Sequence, residues 1–171
     1  HSSKRFSFRV LGPGVARGPV SLFFLLPGVG EVLRVNGTAS ALDGGETAVD
    51  VSEAYVHCAQ AVIRSGLWEP SPGPFLVAEH VAGDGPLAGA GVSEFLAASP
   101  FIALSSWDAG NGSDTSPRGE RQAVARILDD RTLVLADRKG NKRADTLHNL
   151  LQDDRVSLAA LVPGRSGVLH L

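Results

Sequence analysis

The sequence predicts a mainly β fold, and three observations support this prediction. The 171-residue chain contains twenty glycines and ten prolines, a content that favours short strands and turns over long helices. Several short stretches alternate apolar and polar residues, as a strand with one buried face does. With 43% hydrophobic and 20% charged residues, the chain is long enough for one well-filled domain and short for two. We therefore expect a single domain over residues 4–171.

In the N-terminal half, four stretches are typical of strands: residues 5–10, 21–26, 31–36 and 47–56. The first and last of them alternate apolar with polar side chains, whereas the middle two are richer in apolar residues and predict buried strands. Pro27 and Gly28 supply the turn between the buried pair, and a Gly/Pro linker at 12–18 precedes it. Helical spacing at 57–65 predicts a short helix.

The C-terminal half repeats this alternation of short elements. We predict strands and short helices in the order helix 93–99, strand 101–106, strand 115–119, strand 132–136 and a helix from Thr146 onward. Residues 108–112 carry the Asp, Gly and Asn side chains of a hairpin turn. Three prolines interrupt regular structure at 69–74, and the Gly- and Ala-rich segment 82–91 predicts a mobile loop.

One internal repeat is visible in the chain. Residues 20–35 align with residues 156–171, and eight of the sixteen aligned positions are identical, including the Pro-Gly turn. A repeat of this kind predicts that one supersecondary unit is present twice.

A basic cluster follows the predicted strand at 132–136. Arg138, Lys142 and Arg143 lie at a turn around Gly140, and Thr146 begins a stretch of helical spacing. The leucines at 147, 150 and 151 would share one face of that helix. Cations and a hydroxyl at such a turn suit a phosphate group. A solvated charged turn explains the same spacing, and from the residues alone both interpretations stay open.

Residues 101–171 resemble the pyridoxamine 5'-phosphate oxidase-related, FMN-binding split-barrel family. The resemblance rests on segments that match the family core in order and spacing: 101–105, 116–119, 127–133, 137–143, 147–150, 154–156 and 161–164. The resemblance implies a small antiparallel split β-barrel of Greek-key type with a few short helices. It also implies a homodimer that binds FMN, or less commonly a deazaflavin or FAD, at the subunit interface.

Residues 54–68 resemble the C-terminal signature of the same family, although they precede the segments above. Residues 20–70 therefore resemble the back half of a family domain and residues 95–171 its front half, with a joint at about 69–92. Two explanations remain open. The chain is a circularly permuted barrel derived from a tandem repeat, or it belongs to a gene product with longer termini.

The resemblance implies a set of cofactor-binding residues: Ser116, Arg118, Arg138, Lys142, Arg143, Thr146, Arg64 and Trp68. Arg138, Lys142 and Arg143 are expected on the phosphate, and Arg64 with Trp68 at the edge of the isoalloxazine ring. Asn149 and His57 are weaker candidates, which a capping or structural role explains equally well.

The implied function is that of an FMN-dependent oxidoreductase with an unknown small-molecule substrate. The alternative is a non-catalytic split-barrel dimer that stores or senses flavin, or has lost it. A ligand-binding barrel unrelated to flavin would require the motif match to be chance.

Composition argues against several other classes. A net charge of −2 gives no reason to propose nucleic acid or a membrane surface as partner. The single cysteine, Cys58, excludes an intramolecular disulfide and fits a reducing cytoplasm. No Cys/His metal set is present, and the apolar runs are too short to span a bilayer. We expect a cytoplasmic protein without a metal.

Overall fold

The computed structural model describes residues 4–9, 16–70, 81–110, 112–140 and 143–171. Strands make up 42% of the structure and helices 16%, and all strand pairs are antiparallel. The predicted mainly β class is therefore confirmed. Of the predicted features, Lys142 and parts of the linker at 12–18 and of the break at 69–74 lie outside the described residues.

Two four-stranded sheets and one two-stranded hairpin form the described structure. The first sheet has the order β1 (Arg5–Arg9), β4 (Glu46–His57), β3 (Val32–Ala41), β2 (Gly18–Phe24). The second has the order β10 (Val168–His170), β9 (Val156–Leu161), β5 (Phe101–Trp107), β6 (Ser113–Gly119). β7 (Ala125–Ile127) pairs with β8 (Leu133–Leu135). Among the described residues no closed barrel is found.

Three short α-helices accompany the sheets: α1 (Gln60–Ser65), α2 (Val92–Ala97) and α3 (Asp145–Leu150). α1 ends at Gly66, whose φ of 59° is the left-handed conformation that glycine adopts at little cost. α1 packs against β6, and α3 packs against β5 and β6. Both helices therefore converge on β6, the edge strand of the second sheet.

The internal repeat forms two equivalent hairpins. In the first, Phe24 pairs with Leu33, and in the second the aligned residues Ala160 and Leu169 pair in the same register. The turns match too, because Gly28 and Gly164 have φ values of 78° and 77°. The repeat predicted from sequence is thus a repeated β-hairpin, one copy in each sheet.

Two apolar clusters make up the core. The first lies under the second sheet and includes Leu96, Ile102, Leu104, Leu158 and Ala160. The second joins the two halves of the chain, because Val32, Ala61 and Val62 from the first half pack with Phe101 from the second. Val32 and Phe101 are both 0% exposed, so this junction is as fully buried as a domain interior.

Two expectations need correction. The segment 82–91 is not a free loop, since it contains a 3₁₀ turn at Pro86–Ala88 whose Leu87 is buried and whose backbone bonds to Asp130.

Helix α3 also differs from expectation in which of its faces is buried. Its leucines at 147, 150 and 151 are exposed, whereas its polar residues Thr146 and Asn149 are buried. Thr146 and Asn149 donate hydrogen bonds to hydroxyl groups on β6 and β5, respectively, and these bonds explain why the polar face of α3 is the buried one.

No helix in the described part of the chain is long and apolar enough to cross a membrane.

Candidate functional site

A cavity of about 270 Å³ lies between α1, β6 and the segment that leads into α3. From the first half of the chain it is lined by the strand end at His57 and Cys58 and by one face of α1. From the second half it is lined by 116–120 and by residues between Ala136 and Leu147. The wall is therefore shared between the two halves that the family resemblance identifies.

The close approach of α1 to β6 depends on Gly119. A Cβ atom at this position would lie 2.0 Å from the carbonyl oxygen of Ala61, well inside van der Waals contact. Pro117, two residues earlier, costs no ladder hydrogen bond on the open side because β6 is an edge strand. The Ser-Pro-Arg-Gly segment thus suits a strand that faces a helix across a cavity.

Six of the eight residues predicted for the cofactor line this one cavity: Arg64, Ser116, Arg118, Arg138, Arg143 and Thr146. Lys142 lies outside the described residues. Trp68 does not line the cavity, because its indole Nε1 donates a hydrogen bond of 2.7 Å to the carbonyl of Val29. Its place at the edge of the isoalloxazine ring stays a prediction.

Two of the four cavity arginines are neutralised by carboxylates. Arg138 donates to both oxygens of Glu120, at 2.6 Å and 3.3 Å. Arg143 pairs with Asp145 at 2.6 Å and with Glu53 at 3.2 Å. Within the described part of the basic turn, Arg138 and Arg143 are thus compensated by carboxylates of the protein itself.

The other two arginines have little counter-charge. The Arg118 side chain is 20% exposed and reaches Asp137 only at 3.9 Å, and burial lowers the pKa of Arg118. Among the described residues Arg64 makes no ion pair, and its buried Nε has no hydrogen-bond partner. A buried donor without a partner, such as the Nε of Arg64, is costly. Arg64 and Arg118 line the same cavity.

A chain of buried polar side chains reaches the cavity wall at Ser116 and Thr146. Arg34 is 0% exposed and forms an ion pair with Asp114. Asp114 also accepts a hydrogen bond of 3.4 Å from the hydroxyl of Ser116, which in turn accepts one of 3.2 Å from Thr146. The chain connects β3 to β6 and α3, so it fixes the first half of the protein against the second.

Tyr55 links this network to Arg143. The Arg34 guanidinium lies 4.9 Å from the centre of the Tyr55 ring, and the Arg143 guanidinium lies 4.1 Å from it. Cation–π contacts of this kind add about 0.5 to 2 kcal/mol each. Burial raises the pKa of Tyr55, and the phenol therefore stays neutral.

His57 is a buried titratable group on the cavity wall. Burial is the main cause that lowers the pKa of His57, and the charges of Arg34, Arg118 and Arg143 lower it further. The imidazole is consequently neutral at pH 7, and a neutral imidazole can donate one proton and accept another. Cys58 lies beside it as a partly exposed thiol.

Sequence reasoning did not identify Arg34, Asp114 or the carboxylates that neutralise the basic turn. A signal for Arg34 existed, since a charged residue lies between Val32 and Val35 in an apolar strand. The aligned position in the second copy of the repeat is His170, which is exposed. A charge in only one copy of a repeated hairpin indicates a role specific to that copy.

Within the described residues, no group of three or more His, Cys, Asp or Glu side chains could hold a metal ion. Comparison with known proteins gives no further assignment, because no family model, curated protein or solved structure matches the chain.

The Arg34–Asp114 pair generates a stability prediction. Asp114→Ala leaves a fully buried guanidinium without its carboxylate, which typically costs about 3 to 5 kcal/mol. Urea denaturation should show a loss of this size, whereas Asp50→Ala, which removes an exposed partner of Arg5, should cost less than about 1 kcal/mol. Adding Arg34→Met to Asp114→Ala should restore part of the loss. Equal stability of the Asp114 and Asp50 variants would show that the buried pair is not a structural tie.

Proposed function

We propose that this protein is an FMN-binding flavoprotein that acts as an oxidoreductase on a small molecule. One observation supports the proposal above all others. Arg64 lies in a segment resembling the family's back half, while Ser116, Arg118, Arg138, Arg143 and Thr146 lie in segments resembling its front half, and all six line one cavity. If the two motif matches were unrelated, their residues would have no reason to lie on the same cavity wall. Their common position therefore supports a shared binding site.

The charge of the cavity suits a flavin phosphate. Among the described residues its wall carries five cationic side chains, at Arg64, Arg118, Arg138, Lys139 and Arg143, against two carboxylates, at Glu120 and Asp137. The buried, unpartnered Nε of Arg64 is a donor that a ligand oxygen would satisfy. An anionic ligand with polar edges fits this donor set, and a cationic ligand does not.

FMN, when bound, would supply the electron-transfer chemistry. The chain's own residues would bind and orient the ligand and stabilise negative charge on it. The arginines on the wall are suited to that stabilisation. His57 is suited to hold or pass a proton at its imidazole, because it is neutral and lines the same wall. The substrate class stays open at this level, and an FAD or deazaflavin would make the same use of these residues.

A non-catalytic flavin-related dimer is the second candidate, and one observation favours it. Arg138 and Arg143 are paired with carboxylates, and the hydroxyls of Ser116 and Thr146 are bonded inside the protein. Fewer groups are therefore available to a cofactor than the motif suggests. Turnover with a reductant separates the two candidates, and retention of flavin separates a dimer that stores or senses flavin from one that has lost it.

We further propose that the two sheets form a split barrel in permuted order. β2 and β3 of the first sheet pack against β6 of the second, and the buried Arg34–Asp114 pair spans the same junction. These contacts support a barrel assembled from a back half that comes first and a front half that follows. The same contacts would also form in a chain with longer termini, so the origin of the order stays open between the two explanations.

A homodimer is supported by an exposed apolar row on the first sheet. Phe24, Leu33 and Val56 are direct cross-strand neighbours, and they are 40%, 42% and 66% exposed. Contiguous exposed apolar side chains on a sheet face mark an interaction surface more often than a free one.

We expect sedimentation velocity to show a dimer at micromolar concentration. Val56→Glu places a charge at the most exposed residue of the row and should shift the protein to a monomer. Leu128→Glu changes a residue that is 58% exposed at the end of the β7–β8 hairpin region, and it should leave the dimer intact. A wild-type monomer, or a Val56 variant that stays dimeric, would contradict this interface.

The flavin proposal predicts a coloured complex. After incubation with FMN and desalting, the visible absorption bands of a flavin should remain with the protein, because a cofactor held by several charge-assisted bonds dissociates slowly. Gly119→Ala serves as a site variant, since its Cβ would separate α1 from β6, and it should lose the colour. Gly167→Ala, where no atom lies within 4 Å of the added Cβ, is the matched control. Wild-type protein that emerges colourless would leave the non-catalytic candidate in place.

A further inference from the structure

The four arginines of the cavity fall into two groups by their counter-charges. Arg138 and Arg143 each contact carboxylate oxygens at 2.6 Å, and Arg143 also stacks on Tyr55. A new anion at either arginine must compete with carboxylates that are already in place. This competition reduces the gain from binding there, since charge-assisted bonds formed to the ligand replace bonds that exist without it.

Arg64 and Arg118 form the second group. Arg118 has only a 3.9 Å approach from Asp137, whose side chain is 73% exposed, so solvent screens that attraction strongly. The Arg118 guanidinium donates a hydrogen bond of 3.3 Å to the carbonyl oxygen of the adjacent Pro117. Arg64 carries the buried Nε without a partner, and no ion pair reaches it within the described residues. An anion here displaces no strong internal partner.

The contact between α1 and β6 places both side chains on the cavity wall. Arg64 follows Ala61 by one helical turn, so the two share a face of α1, and both line the cavity. Arg118 immediately precedes Gly119, the residue that lets β6 approach Ala61. Both residues therefore belong to the part of the cavity wall where the two halves of the chain touch.

From this distribution of charge we propose that Arg64 and Arg118 form the oxyanion seat of the cavity and that this seat takes a phosphate monoester. The inference rests on the proposed function for the identity of the ligand, because the phosphate can belong to FMN or to a phosphorylated substrate. It moves the phosphate away from the basic turn at Arg138 and Arg143, which instead ties the segment before α3 to β4 and to Glu120. Arginine is suited to the seat because its planar fork binds phosphate oxygens in pairs.

The test for the cofactor phosphate compares FMN with riboflavin, which differs only by lacking that phosphate. Dissociation constants for both are measured by fluorescence quenching on the full chain. In the wild type the ratio of riboflavin to FMN constants should exceed ten. Arg64→Gln and Arg118→Gln should each lower the ratio about tenfold, the loss of one charge-assisted bond pair. Arg143→Gln and Arg138→Gln should change it by less than about threefold.

Arg131→Gln is the matched control, since Arg131 pairs with Asp84 on the surface and does not line the cavity. It should leave both constants unchanged. If a glutamine variant does not fold, Arg64→Lys and Arg118→Lys keep the charge, and each should give an intermediate ratio because lysine lacks the fork. The assignment of the cofactor phosphate is overturned if the ratio of riboflavin to FMN constants stays at the wild-type value in both Arg64→Gln and Arg118→Gln and falls to about one in Arg143→Gln.

The alternative, that the seat binds the phosphate of a substrate, is tested by titrating inorganic phosphate into the FMN-loaded protein. Binding is measured by calorimetry. Phosphate binding that disappears in Arg64→Gln and Arg118→Gln, with an unchanged FMN to riboflavin ratio, assigns the seat to a substrate phosphate. If neither flavin binds the wild type, the proposed function fails and the same phosphate titration on the ligand-free protein decides the seat alone. Absence of phosphate binding in every form, together with an unaffected ratio, overturns the seat.

Discussion

The buried ion pair between Arg34 and Asp114 is the constraint on which the rest of this structure depends. Arg34 lies in β3 and is 0% exposed, and Asp114 lies in β6. A buried charge without its partner costs several kcal/mol, and this cost favours arrangements that bring the first sheet against β6. That packing carries α1 along with it, because α1 follows β4 directly. The cavity between α1 and β6 is thus a consequence of how a charge is compensated in the core.

Local patterns in the sequence predicted most elements, because strand alternation, Pro-Gly turns and helical spacing depend on near neighbours. The repeated hairpin was equally accessible, since identical turn residues at Gly28 and Gly164 require identical backbone. The orientation of α3 was not, because its three leucines suggest a buried face while hydroxyl partners on other strands decide that Thr146 and Asn149 are buried instead. Tertiary partners override amphipathic pattern in a helix of six residues.

The same distinction holds for the candidate site. The residue types of a basic cavity were visible in the sequence, and six of eight predicted positions share its wall. Which arginines keep their charge available was not visible, because Glu53 is ninety positions from Arg143 in the chain and 3.2 Å from it in space. The position of Trp68 was not visible in the sequence either, because it depends on a hydrogen bond to the carbonyl of Val29, and Trp68 does not line the cavity. Motifs predict a set of groups, and folding decides which of them remain without a partner.

We propose that two half-domains in reversed order build one flavin-binding cavity. Hydrogen–deuterium exchange with and without FMN tests it most directly, because exchange reports backbone protection in each half separately. We predict that FMN slows exchange in two peptides at once, the one around α1 (Gln60–Ser65) and the one around β6 (Ser113–Gly119). Protection confined to one half of the chain, or an FMN complex without protection in either peptide, would contradict a shared cavity.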